Sequence, residues 1–519
     1  MAWRGRAGGG DHAADPAAVA SGSGRVVAPS RIPAITPRPL MTPTPIGLPA
    51  LERQVARELE MLAYPAREWV VPRSAPDGSR ALDCAIIGAG QFGLAVGALL
   101  QRERVTNIAL FDENEEGREG PWVTFARMSM LRTPKHLSGP ELGIPALSFR
   151  AFWEAQHGTE EWERIYRVPR TAWMEYLTWF RRVTALPVLN RWRLLALEPV
   201  EGGTMLRLRF ATPGGEAVRH ARSVVLATGA KGAGGHALPP DIARAVPADR
   251  IVHALDVFDA AVFRGRRVGI LGAGASAFDL GIAALEAGAT RAEVCVRRPT
   301  LPRDNPRRWM ESAGFLAHYP DLPDARKWAY AQHLREIGQP PPQPTFDAAM
   351  ATPGFAIRTG FPWESIRWTG SEIVVEGGGQ RVAYDHLAVA TGFRSDLAYC
   401  PELAEVARYA ALWADRFDPP PGQENARMAR APYLDRNGAF TERVAGTAPW
   451  LGRIFTIISS ANLSLGPVAS SVSTMKYVAP WLVEGVKRRL LLDQELADWE
   501  EFLAADHAEL RPFTESEAA

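Results

Sequence analysis

A chain of 519 residues exceeds what one hydrophobic core fills, and with 46% apolar and 23% charged residues it reads as multidomain and globular rather than fibrous or disordered. Its 59 basic and 58 acidic side chains leave a net charge of +1, so no long-range field draws it to nucleic acid or an anionic membrane. Three cysteines, Cys84, Cys295 and Cys400, show no CxxC or metal-ligand spacing, which excludes a disulfide framework and a zinc site and, with no apolar run of eighteen residues, points to a chain of the reducing cytoplasm without a membrane span.

Residues 1–48 are rich in Ala, Gly, Pro, Arg and Ser and lack a periodic apolar face, so they are expected to be a disordered tail. Residues 49–80 open with a helix carrying Leu51, Val55, Leu59 and Leu62 on one face, followed by a linker. The run Ala81 to Ile87 then reads as a strand ending in GAGQFG, and LAVGALLQRER and NIALF add a helix and a second strand. Aromatic helical segments follow, notably Trp173 to Phe180, and then strand-like LRLRF and SVVLATG. The order strand, Gly-rich turn, helix, strand recurs in RRVGIL, GAGASA, FDLGIAALEAG and RAEVCV. A Pro-rich, Trp-bearing insertion spans about 301–352, before strand-like EIVVEG and HLAVATG. This duplication predicts an α/β chain of two Rossmann-like dinucleotide-binding domains, the second inserted into the first. The expected spans are 81–244 for the first part of domain one, 245–385 for the inserted domain, and 386–519 for the rest of domain one with C-terminal helices.

Gly88, Gly90 and Gly93, with Gln91 and Phe92 between them, form G-x-G-x-x-G where the first strand meets its helix. Only glycine permits the tight turn, the close approach of a pyrophosphate and the packing of helix on strand, and the helix N-terminus adds free N–H donors. Asp112 ends the next strand, where a carboxylate can accept ribose hydroxyls, with Glu113 as the fallback. In the second unit Gly272 and Gly274 are followed by Ser276, a further donor, and by Ala277 in place of the third glycine. Its second strand ends in Arg297 and Arg298, where an acid would mark NAD, and a guanidinium can hold a 2′-phosphate bidentately. The residues therefore favour NADPH in this unit, against a reading of both arginines as solvated surface charge. Two such sites call for an electron relay between dinucleotides, which flavin provides, so FAD is expected in the first.

With these motifs, the GPW segment at Gly120 to Trp122 and two ATG strands ending at Gly229 and at Thr391–Gly392, the chain resembles the class B flavoprotein monooxygenases, the flavin-containing and N-hydroxylating monooxygenase superfamily. The resemblance covers about residues 82–394. It implies that Trp122 and the loop Arg132 to Lys135 lie near the flavin ring, with core packing the alternative for Trp122. It also implies NADPH-driven reduction of FAD, then transfer of one atom of O2 from a flavin C4a-(hydro)peroxide to a small organic substrate, with amine N-hydroxylation or S/N-oxidation ahead of Baeyer–Villiger chemistry. Departures exist: the F-x-G-x-x-x-H signature lacks its Phe and Gly before His253, and Arg132 stands where the drug-metabolising branch carries Asn. Arg132 is thereby the candidate for stabilising an oxygen anion. The segment VPRTAWMEYLTW is similar to a stretch of amine N-hydroxylases, or else is an amphipathic helix burying Trp173, Leu177 and Phe180. ANLSLGPVASS reads as a loop before a helix start that would face the flavin carbonyls. Two further functions stay open: an NADPH-dependent flavin reductase or oxidase passing electrons to a partner or to O2, and a cofactor-binding regulator without turnover. Homo-oligomerisation is likewise open.

Overall fold

The computed structural model describes residues 45–63, 65–136 and 139–510. Most of the expected tail at 1–48 lies outside the described residues; the helix Leu48–Met61 begins within its last positions and buries Leu51 and Val55, while Leu62 falls at its exposed end.

Domain one is built on β1 (Leu82–Ile87), β2 (Ile108–Asp112), β3 (Val188–Asn190), β4 (Arg193–Pro199), β5 (Leu206–Thr212) and β6 (Gly215–Leu226), in the spatial order β3-β2-β1-β6-β5-β4. Strands β1, β2 and β3 run parallel; the apolar stretches of β1 and β2 are buried, whereas β3 at the sheet edge leaves Leu189 exposed. Strand β6 is split in use: Gly215–Ala221 pairs antiparallel with β5, whereas Ser223–Leu226 continues the parallel sheet beside β1.

The inserted domain contains β7 (Ile251–His253), β8 (Arg267–Leu271), β9 (Arg291–Cys295), β10 (Phe355–Arg358), an antiparallel trio β11 (Ser365–Trp368), β12 (Ile373–Gly377) and β13 (Gln380–Tyr384), and β14 (His386–Val389). Its parallel sheet has the order β10-β9-β8-β14-β7. Strand β14 hydrogen-bonds to β8 and β7, so the chain remains in this sheet past residue 385, the expected point of return. The reason is the duplication itself: each Rossmann sheet needs a strand beyond the crossover to flank its Gly-rich turn, and β14 does here what β6 does in domain one. Only β15 (Ile454–Thr456) closes the loop, pairing parallel with the free edge of Val224–Leu226 in β6.

The insertion at 301–352 is helical: Arg307–Met310, Ala313–His318, Asp324–Ile337 and Gln343–Ala351. Trp328 of the third helix is buried with Trp413, Met428 and Leu463, tying the insertion to the C-terminal segment. The long helix Met475–Leu492 packs on the helix after β1 and carries Pro480 in its interior. No helix among the described residues is long and apolar enough to cross a membrane, and no group of three or more His, Cys, Asp or Glu among them is placed to hold a metal ion. The three cysteines are buried and unpaired.

Candidate functional site

The two Gly-rich turns are built in the same way. A Cβ on Gly88, whose φ is +99°, would lie 2.5 Å from the carbonyl oxygen of Ala227, and one on Gly272 (φ +149°) would lie 2.8 Å from that of Ala390. Ala227 and Ala390 are the alanines of the two ATG segments, so each ATG strand end presses against the first glycine of its own turn. This explains physically why the two motifs occur together: the strand next to the turn leaves no room for a side chain. A Cβ on Gly93 would collide with the Gly88 carbonyl, whereas Ala277, its counterpart, is accommodated and fully buried.

Both turns lead into helices, Gln91–Arg102 and Ala275–Glu286, whose N-caps are Gly90 and Gly274 with no side chain capping them. Their first N–H groups and the positive end of each helix dipole are therefore available to a phosphate. A Cβ on Gly90 would find only the Gly120 Cα within 4 Å, and one on Gly274 would find nothing, so open space lies over both loops.

Over the first loop this space is a cleft of about 560 Å³ that runs from Asp112, Glu113 and Glu402 past Gly88, Gly90, Gln91 and Phe92 to Trp122, Gly229 and Ser459. Asp112 is 6% exposed; its carboxylate accepts the N–H of Ala89 at 2.9 Å and both nitrogens of Asn114 at 2.9 Å, which fixes it at the rim of the turn. Burial raises the Glu402 carboxyl pKa, and Glu113 nearby adds to the rise. Farther along, Trp122 is buried with its indole N–H unpaired, and the buried Ser459 hydroxyl also has no protein partner. Buried donors left without partners are costly, so two of them on one cleft wall mark where a polar ligand edge fits. An uncapped helix end, an open glycine, a carboxylate at the far rim and orphaned donors at the near one together suit FAD.

Trp173 donates to the Gln91 side-chain oxygen at 3.3 Å and meets Trp122 edge-on at 6.3 Å, so the segment similar to amine N-hydroxylases also buries Trp173, Leu177 and Phe180 as an amphipathic helix would. Arg132 is not part of the cleft wall. Its guanidinium forms an ion pair with Asp279 on the helix of the inserted domain, joining the two domains. Burial raises the Asp279 carboxyl, against the pull of Arg132.

Around the second loop, Ser276 and Gly274 are exposed. Thr391 donates to the Ala237 carbonyl at 2.6 Å, and Gly392 takes φ +82°. The two arginines after β9 part company: Arg297 is exposed with no ion pair among the described residues, whereas Arg298 donates to the carbonyls of Ile337 at 2.7 Å and Arg335 at 3.1 Å. Arg298 thus caps the C-terminus of the helix Asp324–Ile337, a use that only the packing of the insertion reveals. His253 is buried, its Nδ1 accepts the Leu255 N–H at 3.1 Å, and burial lowers its pKa to about 4, as befits a neutral structural histidine. ANLSLGPVASS forms the short helix Asn462–Leu465 and a turn before the helix at Met475, and it brings Ser470 to the cleft. Sequence reasoning missed Ser459 and Glu402, which lie outside any motif and reach the cleft through tertiary packing.

The profile of the FAD-NAD(P)-binding family matches residues 85–231. An FAD-dependent urate hydroxylase of Xanthomonas campestris pv. campestris is 41% identical over 464 residues, covering 89% of this chain and 97% of that protein. The chain belongs to the family of FAD-dependent hydroxylases. Among solved structures, ornithine hydroxylase from Pseudomonas aeruginosa superposes with a TM-score of 0.63 at 16% identity, over 79% of this chain and 100% of that one. The FAD-bound cadaverine monooxygenase of Erwinia amylovora gives 0.61 at 14%, over 79% and 96%. At such identities the likeness is one of fold. As a member of this group the monooxygenase is an oxidoreductase that uses FAD and a nicotinamide dinucleotide.

Proposed function

We propose that this monooxygenase hydroxylates urate, with NADPH as the electron donor. The observation that carries the reading is 41% identity maintained over 97% of a urate hydroxylase. The matched 464 residues, 89% of this chain, reach far beyond the dinucleotide-binding motifs. Amine N-hydroxylation, the expectation from VPRTAWMEYLTW, rests on neighbours of 14–16% identity and therefore on fold alone. The reaction balances as follows: NADPH and a proton supply two electrons and two hydrogens, one atom of O2 enters the substrate as hydroxyl, and the other leaves as water.

Bound FAD would supply the redox chemistry, two-electron exchange with the nicotinamide and activation of O2. The protein's own residues bind and shield. The Gly88–Gly93 turn and the helix it opens hold the diphosphate, and Asp112 with Glu113 receives the adenosine ribose. Trp122 and Ser459, whose buried donors have no protein partner, would donate to the polar edge of the bound group. Trp122, Phe125 and Leu403 wall the cleft with apolar surface, which excludes water from the reacting centre. Arg297 would donate to the 2′-phosphate oxygens and so select NADPH over NADH.

The test is to incubate the FAD-loaded enzyme with NADPH under labelled O2 and, separately, urate, ornithine, lysine and cadaverine. Urate should stimulate NADPH oxidation and acquire one labelled atom. Label appearing in an amine but not in urate would replace this reading with N-hydroxylation. NADPH consumption yielding only peroxide with every compound would favour the reductase or oxidase.

A further inference from the structure

The role of the 301–352 insertion follows from where its arginines lie. In the second Rossmann sheet the strand order reverses between the parallel neighbours β8 and β14, and in open α/β sheets the ligand crevice opens at the carboxyl ends of strands flanking such a point. The Gly272–Ala277 turn forms its floor. On the β14 side, Phe393 directly follows the ATG segment, and its carbonyl accepts a hydrogen bond from the Arg427 guanidinium. On the β9 side, Arg298 grips the C-terminal carbonyls of the helix Asp324–Ile337 and so fixes that helix at the end of β9.

The same helix is pinned to the Arg427 segment. Asn425 donates to the Gln332 side chain at 3.2 Å, and the Trp328 indole donates to the Gln423 carbonyl at 2.9 Å. Arg335 is one turn beyond Gln332, and Arg427 is two residues beyond Asn425, so the pinning brings together the helix end held by Arg298 after β9 and the segment held to Phe393 after β14. Neither has an acidic partner among the described residues, and the Arg335 guanidinium has no hydrogen-bond partner there either. Both are open to solvent, yet crowding by protein lowers the pKa of each, and Arg427 adds to the effect on Arg335. Two neighbouring guanidinium groups without a counter-ion repel each other, and an anion held between them relieves that repulsion.

We propose that Arg335 and Arg427 form a clamp for a phosphate group of the nicotinamide dinucleotide, closing over the Gly272–Ala277 turn from the side opposite the helix N-terminus. The inference rests on the reading that the dinucleotide docks at that turn. Since Arg335 comes from the insertion and Arg427 from the C-terminal segment, the bound nucleotide holds these two parts of the chain together. This gives the insertion a task that the motifs of the turn do not perform: it supplies the lid-side charge that retains the nucleotide.

The test is isothermal titration of NADP⁺ and of NAD⁺ into FAD-loaded enzyme, for wild type, Arg335→Gln, Arg427→Gln, Arg335→Lys and Gly274→Val. Arg335→Gln and Arg427→Gln should each weaken NADP⁺ binding about tenfold or more, the consequence of losing a charge-assisted hydrogen bond, with the flavin absorbance per protein unchanged. Arg335→Lys should recover part of the loss. Equal losses for NAD⁺ and NADP⁺ would assign the clamp to the pyrophosphate, and losses confined to NADP⁺ would assign it to the 2′-phosphate. NADP⁺ binding within twofold of wild type in both glutamine variants would overturn the clamp. Gly274→Val separates the two levels, because its side chain points into open space: if it too binds NADP⁺ normally, the docking site itself has been misplaced.

Discussion

Arg132→Ala tests whether the ion pair between domains is a structural bond. Asp279 has 8% of its side chain in water and Arg132 is its ion-pair partner, with 38% exposed. Removing one member of a fully enclosed pair costs about 3–5 kcal/mol, and the partial exposure of Arg132 reduces this to about 2 kcal/mol. At about 2.1 cal/mol/K of unfolding entropy per residue, a chain of this length loses ~2 °C in Tm. The pH dependence is more telling. Burial raises the Asp279 carboxyl while Arg132 pulls it down, so in the variant it rises further. A carboxylate whose folded pKa is raised stabilises the fold when protonated and loses that contribution as pH climbs through the folded value. The deficit of Arg132→Ala should therefore be full near pH 8 and shrink toward the acid limit, where Asp279 is protonated with or without its partner. Thermal melts followed by tryptophan fluorescence between pH 8 and about pH 4.5 measure it. A Tm loss of the same size at both ends would refute the reasoning, since lost packing would then account for it.

Gly90→Val should place two methyl groups in the open space above the first turn and yield colourless apoprotein; a variant purified with stoichiometric FAD would remove the diphosphate from that loop. Gly88→Ala meets the Ala227 carbonyl in an unfavourable backbone region and should lower both flavin content and expression, with a wild-type absorbance ratio as the opposing result. Arg297→Ala should raise the NADPH dissociation constant about tenfold and leave NADH nearly unchanged, and equal losses for both would reject the 2′-phosphate assignment.

Much of the fold was legible because its elements are announced locally. GAGQFG and GAGASA sit between a buried apolar run and a helix, and steric necessity at the first glycine makes the motif nearly synonymous with the turn. The boundary at residue 385 was less legible, since HLAVATG resembles a strand of either domain and only hydrogen bonding to β8 assigns it. Arg297 and Arg298 show the same limit at the level of single residues. Adjacent and chemically identical, they become different in function only once Arg298 is occupied by the carbonyls of a helix some 37 residues away.

By itself, then, the sequence determined what depends on neighbours within a few positions: two Gly-rich turns, the strands that lead into them, and the acid and basic residues at the next strand ends. Tertiary structure alone decided which strand closes which sheet, which arginines are left without protein partners, and which residues from 393 to 470 meet the cleft over the first turn. The division has a physical cause. Backbone sterics and hydrogen bonding act over one turn of chain, whereas burial and charge pairing depend on segments brought together from anywhere along it.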